Sequence, residues 1–234
     1  MCIRDRCFGT IDSWLIYKFT GNHVTDVTNA SRTLLMDLNS LTWLDSVIKM
    51  LDIPKNALPA IKPSLFSYGT NKKILKNVPI TAVLGDQQAS LFGHNCISTG
   101  DVKNTYGTGC FALTNTGSEI VNSNNGLLST VAYQKEGSKP QYALEGSVSI
   151  AGAAVQWLRD NLNIIKDSSD VESLAMSVKD NGDVYFVPAF SGLFSPHWDE
   201  TARGVLVGLS RFSNKSHIAR AVLESVAYQS YELL

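Results

Sequence analysis

"VPITAVLGDQQAS", residues 78 to 90, carries an apolar run into a glycine, a carboxylate and two amides. Ile80 to Leu84 has the length and composition of a buried strand, and "QQASLFG" reads as the helix that follows. Asp86 falls at the junction, and two readings of it compete on even terms. In one it is an N-cap, accepting a backbone N–H one turn further on. In the other it stands at the C-terminal end of a strand, where open α/β sheets place their ligand crevices. Gln87 and Gln88 favour the second reading a little. A carboxylate can accept a hydroxyl proton while an adjacent amide holds a neighbouring hydroxyl.

Upstream, residues 10 to 20 read as a helix capped by Thr10, with Ile11, Trp14, Leu15 and Phe19 as its apolar stripe and Gly21 as its end. Leu44, Val47, Ile48 and Leu51 predict a second short helix, closed before Pro54. Residues 54 to 79, with Pro54, Pro59, Pro63 and Pro79 among scattered lysines, read as loop. Downstream of Gly93 the texture changes. "DVKNTYGTGCFALTNTG" predicts strand, Gly-rich turn, strand, and "LLSTVAY" and "YALEGS" continue the β pattern. A helix over about Ile150 to Leu162, a strand at "DVYFVPAF", a long loop at "SGLFSPHWDETARG" and an amphipathic helix from Ser216 to Leu234 follow. That last helix reaches the final residue without a C-cap, which suggests a chain that continues. No internal repeat or low-complexity tract interrupts the sequence. Strands mixed with helices predict α/β layers in two lobes dividing near residue 93.

Composition bounds the partners. With a formal net charge of −1, the 234 residues give no electrostatic reason to expect nucleic acid or an anionic membrane surface. At 44% hydrophobic, the chain can bury a sizeable core, yet its longest apolar runs are strand-length, short of the roughly 20 residues of a membrane helix. Met1 to Arg6, "MCIRDR", is charged and lacks the apolar segment of a secretory leader. Cys2, Cys7, Cys96 and Cys110 form no CxxC pair, so reduced thiols in a cytosolic protein are expected rather than a zinc site or a disulfide framework.

Other stretches could carry chemistry. In "TYGTGCF", Thr105 to Phe111, two glycines flank Thr108, and such a turn can bring backbone N–H groups and a hydroxyl against phosphate oxygens. An ordinary hairpin turn is the commoner explanation. Neither a GxxxxGK[ST] loop nor a Rossmann fingerprint is present. In "SIAGAAVQW", Gly152 lies near a helix start, where the dipole and a close backbone approach would suit a phosphate chain. Close packing through small residues is the plainer alternative. Gln156, one turn on, falls on the same side as Gly152, whereas Trp157 reads as core. His94, His197 and His217 are scattered and predict no catalytic role, and Trp198 and Arg203 read as anchors of the long loop.

Each of these motifs is weak alone, but their order is not. "DVTNASRT", "GDQQAS", "NTYGTGCF", "NGLLSTVAY", "YALEGSVSIAGAAVQWLRDNL", "FVPAFSGL" and "ARGVLVGL" resemble, in that order, the FGGY carbohydrate-kinase family and its glycerol-phosphorylating members. The similarity runs from about Cys7 to Leu234, and "EGSVSIAGA" and "VPAFSGL" are closer in wording to the eukaryotic-like members. The resemblance implies an actin-like (ribonuclease H-like) ATPase fold, two lobes around a nucleotide cleft, with residues 1–92 on the polyol side and 93–234 on the nucleotide side. It implies transfer of the γ-phosphate of ATP, with Mg²⁺ carried on the nucleotide, to a primary hydroxyl of glycerol in the cytoplasm. By position, Asp86 resembles the catalytic base and Gln87 the glycerol-binding amide, while Phe111 resembles the apolar wall against the glycerol carbons. Thr108, Gly152 and Gln156 match ATP-contacting positions. No protein-held metal is implied, and a homo-oligomer is left open.

The family's N-terminal phosphate loop, its Arg-Glu pair and its adenine-side glycine segment are not among these residues. The chain therefore reads as an internal segment, inactive by itself. Val27 stands where bacterial members have a glycerol-contacting Tyr and is given no hydrogen-bonding role. Two alternatives stay open: another FGGY kinase acting on a sugar such as xylulose or gluconate, and a non-catalytic nucleotide-binding relative.

Overall fold

The computed structural model describes residues 6–71 and 77–234. Cys2, most of the "MCIRDR" segment and positions 72 to 76 of the stretch expected to be loop lie outside the described residues. The chain forms two compact units. The first comprises Met1–Lys103, Leu113–Asn122 and Ser129–Leu144; the second comprises Asn104–Ala112, Ser123–Leu128 and Glu145–Leu234.

The first unit opens with α1 (Ile11–Thr20), closed by Gly21 in the left-handed region at φ 86°, its N–H donating to the Tyr17 carbonyl. The buried face of α1 is not the expected stripe. Asp12, Ser13 and Ile16 are buried, whereas Ile11, Trp14 and Leu15 are exposed. The reason is polar: Asp12 accepts hydrogen bonds from the hydroxyls of Thr10 and Thr25, and that second bond, at 2.7 Å, holds the Asp12 face inward. Thr10 occupies the N-cap position, but its hydroxyl goes to Asp12 rather than to a helix N–H.

Strand β1 (Val24–Asp26) leads into the four-residue helix α2 (Val27–Ala30) and then the ribbon β2 (Met36–Asp37) and β3 (Thr42–Trp43). Helix α3 (Asp45–Met50) follows, as expected. The stretch expected to be loop instead folds: β4 (Ala60–Lys62) pairs in parallel with β1, and β5 (Leu65–Asn71) pairs antiparallel with β6 (Val78–Ala82). Pro59 and Pro63 bracket β4, and Pro79 lies in a two-stranded ribbon, where a missing N–H is tolerated. Strand β6 is mostly exposed, not the buried strand that its apolar composition suggests. Helix α4 (Asp86–Gly93) comes next.

A four-stranded sheet in the order β7-β8-β10-β9 contains β7 (Val102–Tyr106), β8 (Cys110–Gly117), β9 (Leu128–Tyr133) and β10 (Gln141–Val148), all four of them expected from the sequence. Each of these strands is divided between the two units. In the first unit, Val27, Ala30 and Met36 pack with Val131 and Tyr142, and Leu91 packs with Leu113, Ala132 and Ala143.

The second unit continues with α5 (Gly152–Asp160), α6 (Asp170–Met176), the antiparallel pair β11 (Tyr185–Val187) and β12 (Val205–Val207), and α7 (Lys215–Leu233). Its core joins Ala154 and Leu158 of α5 to Val184, Phe186, Ala219 and Val222, and Trp157 stacks on Phe186 with ring centroids 5.4 Å apart. His217 is buried here as a capping residue. The Asn214 N–H donates to its Nδ1 at 3.2 Å, while the Asn214 side chain accepts the Ser216 N–H at 2.9 Å. In the long loop, Trp198 does act as an anchor, its indole N–H donating to the Gly126 carbonyl at 2.7 Å. Arg203 donates to the carbonyls of Glu200 and Ala202 and so ties the loop to itself.

Candidate functional site

Asp86 is not the N-cap of α4. That position belongs to Gly85, in extended conformation at φ −61° and ψ 152°, and no side chain caps the helix there. Asp86 is the first helical residue and is exposed. Its Oδ1 accepts the Gln87 backbone N–H at 2.9 Å, and its Oδ2 lies 3.4 Å from Gln87 Nε2. A carboxylate and an amide thus stand side by side at a helix start. Gln88 turns the other way. It is buried, its Nε2 donates to the Thr130 hydroxyl at 3.4 Å, and its Oε1 occupies the space that a Cβ on Gly85 would need. The second amide therefore fixes the helix start from within and is not offered to a ligand.

What holds Asp86 in place comes from far along the chain. Asp26, at the end of β1, is fully buried. Its carboxylate accepts the Thr28 and Asn29 backbone N–H groups, the Thr28 hydroxyl, the Asn29 amide and the Ser64 hydroxyl. Burial pushes the Asp26 carboxyl above the ordinary aspartate range, against the opposing pull of those hydrogen bonds. Having donated its proton to Asp26, the Thr28 hydroxyl accepts the Gly85 N–H at 2.8 Å. The Ser64 carbonyl accepts the Val83 N–H at 2.9 Å. The segment entering α4 is thus tied at Val83 and Gly85 to one buried acid. Val27, beside it, is buried among Ala30, Met36 and Val131. Sequence reasoning missed Asp26 and Thr28 as supports, and also Lys103, a buried residue of β7 whose ammonium donates to Gln87 Oε1.

The second unit holds the other candidates. Gly107, Thr108 and Gly109 form the tight turn between β7 and β8, closed by the Gly107 N–H donating to the Gly109 carbonyl at 2.8 Å, and Thr108 is exposed. Its carbonyls meet the start of α5 in close packing. The Ala151 and Ala153 N–H groups donate to the Thr108 carbonyl at 2.8 and 3.1 Å, and the Gly152 N–H to the Gly107 carbonyl at 2.9 Å. These N–H groups of α5 are therefore satisfied by the turn itself. Gly152 is needed for the close approach, since a Cβ there would lie 2.6 Å from the Gly107 carbonyl oxygen. Gln156 is exposed one turn further along α5, and Phe111 is half-buried on β8, just past the turn. The fold thus joins the turn around Thr108 to the start of α5 at residues 151 to 153, and joins Asp86 to Gln87, each within one unit.

Among the described residues no His, Cys, Asp and Glu side chains group as a metal site, and no helix is long and apolar enough to cross a membrane.

Comparison with known proteins fits this arrangement. Residues 3–93 match the N-terminal domain, and residues 102–234 the C-terminal domain, of the FGGY family of carbohydrate kinases. The glycerol kinase of Brucella anthropi is 59% identical over 98% of this chain and 47% of its own length. The crystal structure of Plasmodium falciparum glycerol kinase with ADP superposes with a TM-score of 0.87 at 43% identity, covering 96% of this chain and 46% of that one. A ligand-bound xylulose kinase from Lactobacillus acidophilus gives a TM-score of 0.82 at 27% identity over 95% of this chain and 46% of its own. The chain thus spans about half the length of the relatives it matches. The Brucella sequence is bacterial and shares more identity than the Plasmodium one, which gives no separate support to a eukaryotic-like branch. The mixed helices and sheets are those of the sugar-kinase and actin-like ATPase fold. Matched along nearly its whole length by the two domains in order, the chain belongs to the FGGY family of carbohydrate kinases.

Proposed function

We propose that the protein containing this chain transfers the γ-phosphate of ATP to a primary hydroxyl of glycerol, giving glycerol 3-phosphate and ADP. The observation that carries the reading is the pair of exposed Asp86 and half-buried Gln87 at the start of α4, with an acceptor and a donor side by side. The identities to glycerol kinases lend support, since they exceed that to the xylulose kinase.

In this mechanism a hydroxyl set against Asp86 gives up its proton to the carboxylate as its oxygen bonds to the γ-phosphorus and the bond to the bridging oxygen of ADP breaks. General-base help of this kind contributes about 10²–10⁴-fold. Phosphoryl transfer otherwise depends on alignment and charge neutralisation, part of which Mg²⁺ brings with the nucleotide. Gln87 holds a neighbouring hydroxyl and Phe111 lies against the carbons. The Thr108 hydroxyl reaches the phosphates, and Gly152 and Gln156 flank the nucleotide. Residues 1–92 then serve mainly the polyol, joined there by Phe111, and 93–234 mainly the ATP.

A substrate panel tests the reading. A full-length protein containing this chain is expected to form ADP with glycerol at a kcat/KM at least about 100-fold above that with xylulose or gluconate, a margin expected when a site built for one hydroxyl pattern loses a partner. Preference for either sugar would replace glycerol with another FGGY substrate. ATP binding without turnover of any of them would favour a non-catalytic role.

A further inference from the structure

Lys103 is the second residue of β7 and is 6% exposed. Its ammonium donates to the Oε1 of Gln87, whose Nε2 lies 3.4 Å from Asp86 Oδ2. An ammonium has three donors and no acceptor, and an ionised carboxylate has acceptors only. A side-chain amide between them therefore has one satisfactory orientation. Reversing it would set NH₂ against NH₃⁺ and carbonyl oxygen against carboxylate, two repulsions in place of two attractions. The Gln87 backbone N–H, donating to Asp86 Oδ1 at 2.9 Å, fixes the carboxylate from its other oxygen.

Resting on the glycerol reading above, we propose that Lys103 is a positioning residue that sets the direction of the Gln87 amide, so that the pair presents a donor beside an acceptor to two adjacent hydroxyls of the substrate. A polyol carries that complement. One hydroxyl gives its proton to Asp86 while the oxygen of the next accepts from Gln87 Nε2. Without the ammonium, the two amide orientations approach each other in energy and the site offers the wrong polarity part of the time. In this role Lys103 touches no substrate and is felt there through Gln87.

The test is a double-mutant cycle in a full-length protein containing this chain, read as KM for glycerol, KM for ATP and kcat. Losing a hydrogen bond to a charged group predicts that Lys103→Met raises KM for glycerol roughly 10-fold or more, with KM for ATP unchanged. In a Gln87→Ala background the same substitution should add less than about 2-fold, because there is no amide left to orient. Lys103→Arg, which keeps a cationic donor, should recover most of the affinity. If Lys103→Met does not fold, Lys103→Gln takes its place, since an amide there accommodates either orientation of Gln87 and should raise KM for glycerol similarly. An unchanged KM for glycerol, or an equal loss with and without Gln87, overturns the positioning role while leaving the glycerol reading intact. An unsubstituted protein that phosphorylates no glycerol overturns both.

Discussion

Asp86 owes its placement to partners that no local pattern announces. Strand, glycine, acid and amide in succession point to either a cap or a site, and the fold decides between them by giving the cap position to Gly85. The supports were hidden by distance along the chain. Thr28 is 57 residues from the Gly85 N–H it accepts, and Lys103 is 16 residues from Gln87. Thr28 in particular looks like any hydroxyl in "DVTNAS", and only its geometry shows a proton given to Asp26 and a lone pair given to Gly85. Thr28→Val keeps the shape but leaves the Gly85 N–H and one acceptor site of Asp26 without their partner. An unsatisfied buried group costs about 1–3 kcal/mol, so that variant should melt at a lower temperature. It should also lose kcat more than ATP affinity, as thermal melts and steady-state kinetics would record. An unchanged kcat would separate Asp86 from this tether.

At the scale of elements, the sequence pattern located most of the helices but only half of the strands, and misjudged the buried face of α1. Helix α1 was legible in its span and its Gly21 stop, but its apolar stripe lies outward because Asp12 is bound inward by Thr25. Strands β4 and β5 were hidden by prolines that sit between pairing segments. For α7 the start was legible, whereas the reciprocal Asn214 and His217 cap was not, since histidine is an uncommon partner in such a box. At α5 the glycine was legible and its reason was not. Gly152 serves close packing on the 107–109 turn, whose carbonyls take the N–H groups of residues 151 to 153. Gly152→Ala puts a methyl 2.6 Å from the Gly107 oxygen, and neither backbone can yield without moving the turn. The expected result is about 1–3 kcal/mol of destabilisation, typical of overpacking, with a several-fold rise in KM for ATP and little change in KM for glycerol. A rise confined to glycerol would contradict the assignment of this turn to the nucleotide.

For the whole molecule, the order of motifs carried more than any one of them, because seven stretches in family sequence are hard to meet by chance. Two compact units, each with its own apolar core and with four strands divided between them, bear out the α/β class. The acid and its amide belong to one unit, and the Gly-rich turn and α5 to the other. The account turns on Asp86 as the base. Its most direct test is Asp86→Asn in a full-length protein containing this chain, with glycerol-dependent ADP formation and ATP affinity measured side by side. The predicted result is a fall in kcat of about 10²–10⁴-fold with ATP affinity preserved. Retention of most of the kcat by the Asn variant would contradict it.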